Sequence, residues 1–315
     1  MTRARLCILA AAASLAAAAG ASAQGGRIYI SGPTGGIMTS LEGSGAFRFL
    51  GLCSGAVQAM AIDGKVLLLG DTNGFVYRFD LATEQILGFF EIGTPATALA
   101  MHNGVLVVGS ASGPVRRLDP VTGAVLSKFT APNGGIHAMT VDGGTLFTGS
   151  HNTFVSKGSA MTGGFQFLTA CGGAVDAAAI SHGELVLGTT GTTVYRINSA
   201  TGAYYGTFQM DRPQVAVVPG GQHLIVAHGD GLVRRVNQTT GAVLQSWQAP
   251  IGVEAMVIDS CVSDVNNDGR LSVADFGAFQ TSYVLGDLRM DFNDDGFLSV
   301  ADFGAYQTAF GLGCP

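Results

Sequence analysis

The chain has 315 residues, a formal net charge of −6, only 12% charged side chains and 47 glycines, about twice the ~7% glycine of an ordinary protein. With 47% hydrophobic residues in short runs, that composition excludes a helical bundle, a coiled coil and a largely disordered chain. The acidity is local, because residues 260–315 hold eight Asp and two Arg, and no basic stripe exists to meet a phosphate backbone, so nucleic acid is not an expected partner.

Residues 1–23 begin with Arg3 and Arg5, continue through the apolar run Leu6 to Ala19 and end in Ala21-Ser22-Ala23 before Gln24. A basic start, an apolar run too short for the ~20 residues of a membrane span, and an A-x-A ending predict a secretory signal peptide. No other segment is long enough to span a bilayer, so the remainder is expected to work outside the cytoplasm.

Residues 24–259 contain six similar units, starting at Gly26, Gly64, Asn103, Gly143, His182 and Gly220, each 38 to 40 residues long. Periods of this size mark solenoids or propellers. One unit reads VLVVGS, PVRRLD, AVLSKFTA and GIHAMTVD, four short strands separated by turn residues, with no helical stretch. Four antiparallel strands per unit predict propeller blades, each hiding one sheet face against the blade before it and one against the blade after. The first unit supplies only three strands (27–32, 37–41 and 46–53), and 252–259 supplies an innermost strand without a following partner. Joining the two ends completes a six-bladed, mainly β ring with no orphan edge at the seam.

The turn between third and fourth strands recurs as Asp119-Pro-Val-Thr-Gly-Ala, Asn198-Ser-Ala-Thr-Gly-Ala and Asn237-Gln-Thr-Thr-Gly-Ala, with Asp80-Leu-Ala-Thr-Glu as a weaker copy. Asp or Asn bonds the turn backbone and Gly takes a positive φ. The pattern resembles the PQQ-like, quinoprotein-type propeller repeat, with some likeness to WD40-type arrays. Quinoprotein dehydrogenases add a vicinal cysteine pair and a tryptophan-rich repeat. This chain has no adjacent cysteines and one tryptophan, Trp247, so no quinone cofactor is expected.

Aligned on their last residues (Asp63, His102, Asp142, Ser181, Pro219 and Asp259), the innermost strands carry Gln58, Thr97, His137, Asp176, Gln214 and Glu254 at one position. Ala59, Ala98, Ala138, Ala177, Val215 and Ala255 follow. Six polar groups should therefore ring one mouth of the central channel, either as a hydrated rim or, at His137, Asp176 and Glu254, as a small-ligand or metal site. His102, His151, His182, His223 and His228 are expected in surface turns. The odd offset between His223 and His228 points them to opposite faces of one strand.

Residues 260–315 change pattern to two copies of a loop and a helix. The loops offer Asp264, Asn266, Asp268 and Asp275, then Asp291, Asn293, Asp295 and Asp302, at positions 1, 3, 5 and 12. Gly269 and Gly296 make the sharp turn, the carbonyls of Arg270 and Phe297 fill position 7, and Ser272 and Ser299 stand at the water-mediated position 9. This is the oxygen cage that Ca²⁺ needs, twice. Helices are expected over 273–283 and 300–310.

Each loop lacks the helix that precedes an ordinary EF-hand loop. In this the tail, 260–315, resembles a type I dockerin, and 16 of 23 residues agree between 264–286 and 291–313, so the resemblance implies a module with two related binding faces. It implies two Ca²⁺ ions and contact with a cohesin-like or cell-surface receptor through Val273, Ala274, Val300 and Ala301. These are small and apolar where cellulosomal dockerins often carry Ser-Thr. The ending Gly313-Cys314-Pro315 resembles the Gly-Cys dockerin tails of secreted planctomycete-like bacterial proteins, which implies attachment at the bacterial cell surface. Cys261 and Cys314 bracket the loops, and secretion permits a disulfide between them. Cys53 and Cys171, three blades apart, are awkwardly placed to pair.

The expected protein is a secreted, monomeric, non-catalytic binding propeller with a glycan or protein ligand, tethered by its calcium-dependent tail. The alternative, implied by the dockerin resemblance, is an accessory protein or enzyme of polysaccharide catabolism; for an enzyme, Asp176 and Glu254 are the carboxylates that could make an acid and base pair. G-x-S-x-G and phosphate-loop motifs are absent from the sequence.

Overall fold

The computed structural model describes residues 26–315 apart from 43, 44, 82, 133, 182, 221, 222, 260–262, 264, 266–270, 287–289, 291–297 and 313–315. The expected signal peptide, residues 1–23, lies outside the described residues. So do Cys261, Cys314, Asp264, Asn266, Asp268, Arg270, Asp291, Asn293, Asp295 and Phe297.

The first blade contains β1 (Arg27–Ser31), β2 (Gly36–Leu41) and β3 (Arg48–Leu52). Next come β4 (Val57–Asp63), β5 (Val66–Asp71), β6 (Phe75–Asp80) and β7 (Gln85–Glu91), then β8 (Ala98–His102), β9 (Val105–Gly109), β10 (Pro114–Leu118) and β11 (Val125–Thr130). The fourth blade holds β12 (Ala138–Asp142), β13 (Thr145–Gly149), β14 (Phe154–Ser159) and β15 (Gly163–Ala170). The fifth holds β16 (Val175–Ser181), β17 (Glu184–Thr189), β18 (Thr193–Asn198) and β19 (Tyr204–Gln209), and the sixth β20 (Ala216–Pro219), β21 (His223–Ala227), β22 (Leu232–Asn237) and β23 (Val243–Gln248). The last strand, β24 (Ala255–Asp259), returns to the first blade, whose order is β24-β1-β2-β3. It pairs antiparallel with β1 from Arg27 opposite Asp259 to Ser31 opposite Ala255, so the ring closes as the repeat phase requires.

Burial follows position in the blade. The second strands β5, β9, β13, β17 and β21 are buried almost throughout, because both of their faces meet a neighbouring blade, and their sequences are correspondingly continuous apolar runs such as LLLG and LVVG. The outer strand β7 alternates exposed and half-buried residues, the period of a strand with one solvated face. Six apolar clusters fill the six seams between consecutive blades. The seam from the sixth blade to the first, for example, packs Ile225, Val233 and Trp247 against Ile28, Ile30 and Met38.

The repeated turn works as its residues predict. Asp119 Oδ1 accepts from the N–H groups of Val121 and Thr122 at 2.9 and 2.7 Å, and these bonds hold its carboxyl below the usual carboxylate range. Asn198 and Asn237 accept the same pair of bonds in their own blades. Gly123, at φ +74°, lies so close to Phe90 of the preceding blade that a Cβ there would stand 2.4 Å from the ring. The second blade has Glu84 at the equivalent positive-φ place (φ 57°), paired with Arg48 of the first blade.

Two histidines expected at the surface are buried. His223 lies against the buried Glu42, joining the sixth blade to the first, and His228, just past the end of β21, bonds the Pro213 carbonyl. Both lie at the ends of β21, where contacts from elsewhere in the fold cover them, which the spacing of single strands does not reveal.

Beyond β24 stand α1 (Val273–Val284) and α2 (Val300–Leu312), at the expected places. They pack through duplicated aromatics: Phe279 stacks on Tyr306 at 4.0 Å and Phe276 meets Phe303 edge-on at 5.7 Å. Among the described residues no helix is long and apolar enough to cross a membrane.

Candidate functional site

The innermost strands lie side by side around the axis and enclose a channel of about 440 Å³. At one mouth stand Gln58, Thr97, His137, Asp176, Val215 and Glu254; behind them the wall turns apolar with six alanines, Ala59, Ala98, Ala138, Ala177, Ala216 and Ala255. The sixth member is thus Val215, not Gln214. The pairing explains the difference: Ala59 and Ala98 face Gly70 and Gly109, and in the sixth blade it is Ala216 that faces the equivalent Ala227. The strand register of that blade extends one residue further, to Gly220, whose N–H bonds His223, so counting back from Pro219 falls one short. Gln214 is instead buried, its amide donating to the Arg212 carbonyl.

Gln58 and Asp176 occupy β-bulges, and the other four mouth residues stand immediately before their strands. Gln58 and Asp176 are skipped by the ladder, which passes from Val57 to Ala59 and from Val175 to Ala177. The N–H groups of Thr97, His137 and Glu254 bond the carbonyls of Gly109, Gly149 and Ser31, the residues already paired with the alanine that follows each. A bulge places two residues against one and re-aims the extra side chain, here into the channel. Thr97 uses its hydroxyl to bond the Ile136 carbonyl of the next blade.

The groups that converge are His137, His151 and Asp176. His151, in the turn between β13 and β14, donates through Nε2 to Asp176 Oδ1 at 2.9 Å, and its ring lies over that of His137 with centroids 3.4 Å apart and planes 10° apart. The possible ligand atoms of all three lie within 4.8 Å of one another. Burial, then the adjacent His151, lowers the pKa of His137, against the opposing pull of Asp176. Glu254 lines the same mouth with Val215 between it and Asp176 in the ring, and burial raises its pKa. His151 does lie in an exposed turn, as expected, but its position in the sequence does not show that this turn reaches the innermost strand of the next blade. The signal is present nonetheless: at this turn position the other blades carry Thr72, Ala111, Thr190, Gly229 and Pro33.

In the tail, Asp275 and Asp302 are fully buried at the twelfth loop positions, and Oδ2 of each accepts from the backbone N–H of Ser272 or Ser299 at 2.7 Å. Val273 and Val300 are 84% exposed at the first turns of the two helices, with Ala274 and Ala301 also exposed beside them. Cys53 and Cys171 are buried in separate seams and not joined to each other, and burial pushes the Cys171 thiol up to about 12.

The PQQ_2 family model, described as outer membrane protein assembly factor BamB, matches residues 111–277, slightly over half of the chain. No curated protein matches. Among solved structures the fold is similar to a chain of the nidogen/laminin complex (13% identity, 74% of this chain and 98% of that one, TM-score 0.67). It is also similar to one of the mitotic checkpoint complex (17%, 79% and 89%, 0.56) and to the computationally designed Ika8 protein (20%, 72% and 74%, 0.51). At these identities the likeness is one of fold.

Proposed function

The chain belongs to the PQQ_2 repeat family, and from that premise we propose that it is a non-catalytic binding propeller, secreted and held at a bacterial cell surface by a calcium-dependent, dockerin-type tail. The family's description names an assembly factor, which supports a propeller that recognises other molecules rather than converting them. The channel mouth and the turns around it are the face offered to a glycan or protein ligand.

The observation that carries the tether is the pair of buried carboxylates, Asp275 and Asp302, at equivalent ends of two near-identical loops. A buried carboxylate is costly unless it is bonded or faces a cation. Each here accepts a backbone N–H at the start of its helix, as a loop-closing calcium ligand would. The remaining cage would come from Asp264, Asn266, Asp268 and the Arg270 carbonyl, and from Asp291, Asn293, Asp295 and the Phe297 carbonyl, with Ser272 and Ser299 acting through water. Bound Ca²⁺ would supply charge neutralisation and fix the loops. Exposed Val273 and Val300, related by the duplication, then present two equivalent apolar contacts to a cohesin-like receptor.

The test is recovery of a receptor from an envelope extract by the full-length protein. Binding is expected in millimolar calcium, and it should be lost in chelator and in the double variant Val273→Asp/Val300→Asp. Recovery unchanged in chelator would refute the tether, and turnover on a panel of glycans would replace the non-catalytic reading with the polysaccharide-catabolism one.

A further inference from the structure

We propose that His137, His151 and Asp176 form a binding site for one divalent transition-metal ion of the zinc class at the channel mouth, separate from the calcium loops of the tail. Three different elements deliver these side chains to one point: the residue just before β12, the bulge in β16 and the β13–β14 turn. The bulge matters because Asp176 in regular register would point along a blade face and not at the axis.

The donor set fits the chemistry. Two imidazoles and one carboxylate suit zinc and its neighbours, whereas Ca²⁺ and Mg²⁺ want oxygen alone. Around a tetrahedral zinc with bonds of ~2.0–2.1 Å, ligand atoms stand about 3.3 Å apart. His151 Nε2 and Asp176 Oδ1 are already at 2.9 Å, and the widest separation in the trio is at most 4.8 Å. The closure that remains is at most about 1.5 Å, and it requires the exposed His151 ring to turn out of its parallel stack on His137 so that both lone pairs meet one ion. With three protein ligands, the fourth position would open into the channel. That is where a ligand of the propeller could reach the ion, in the mouth that Glu254 also lines.

The two imidazoles lie parallel with centroids 3.4 Å apart, so both rings already stand beside Asp176 at the mouth. No other blade places histidine at either position, so the site breaks the symmetry of the ring once, at the junction of the fourth and fifth blades.

The experiment is a titration of the full-length protein in saturating calcium, with Zn²⁺ followed by calorimetry and Co²⁺ followed by visible absorption. One equivalent of tight binding is expected, with a Co²⁺ spectrum of low coordination number. Removing even an outer hydrogen-bond partner of a metal ligand costs about 10–100-fold in affinity, so His151→Ala and Asp176→Asn should each weaken Zn²⁺ binding by about 100-fold or more. His102→Ala should leave it within about twofold, as should Asp275→Ala/Asp302→Ala, so the failure of the tail to hold calcium and the failure of this site remain distinguishable. Absence of Zn²⁺ binding by the folded native protein would overturn the proposal. So would His151→Ala and Asp176→Asn variants that melt like the native protein and bind Zn²⁺ equally well.

Discussion

Glu254 shows how a single side chain feels the channel. Its carboxyl lies among the walls of the mouth, and desolvation alone raises its pKa. For an acid, a folded-state pKa above the unfolded value means that the ionised form is the costly one. The penalty is complete above the folded pKa and gone below the unfolded one, near ~4.3. Glu254→Gln is therefore expected to raise Tm at pH 7–8, with the gain shrinking to nothing on acidification below about pH 4. Differential scanning calorimetry across that range checks it, and a variant less stable than the native protein at pH 8 would show that the carboxylate has a partner. The polar character of the mouth was legible from residue types spaced by the repeat. The His151 contact was not, because it depends on a turn in one blade reaching the bulge of the next.

At the scale of strands and helices, the period-two pattern and the Asp/Asn…Gly turns marked nearly every element. What they left open was register. A one-residue difference at the end of β20 exchanges Val215 for Gln214 at the channel, since adjacent residues on a strand face opposite ways. The two helices are equally legible, and their starts combine two functions in one residue. Asp275 completes a capping box with Ser272, and Asp302 bonds Ser299 in the same way. An N-terminal cap is worth about 1 kcal/mol, so Asp275→Ala/Asp302→Ala should fray both helices without calcium and also abolish any calcium-induced gain. Circular dichroism at 222 nm reads this directly, because the propeller among the described residues contributes strands and turns. A calcium-dependent gain of ellipticity in the native chain that persists in the double variant would exclude these aspartates as ligands.

For the whole molecule, the decisive contact is β24 on β1, which binds the last propeller strand to the first across more than two hundred residues. The phase of the repeats announced it, since three strands at one end and one at the other leave no different way to finish six blades. A chain ending at residue 252 lacks that strand, exposing the edge of β1 and uncovering Ile28 and Ile30 in the last seam. It is expected to lose the single cooperative melt of the native ring and to be cut by trypsin at Arg27 and Arg48 first. Limited proteolysis followed by mass spectrometry decides the matter. The same closure governs how the protein is made. Strand 27–31 emerges from the ribosome long before its partner 255–259, and at ~5–20 residues per second the interval is on the order of 10–50 s. Throughout it the nascent first blade offers a naked backbone edge to every neighbouring copy on the polysome, so yield during biosynthesis should depend on escort by a holding chaperone far more than on the stability of the finished ring.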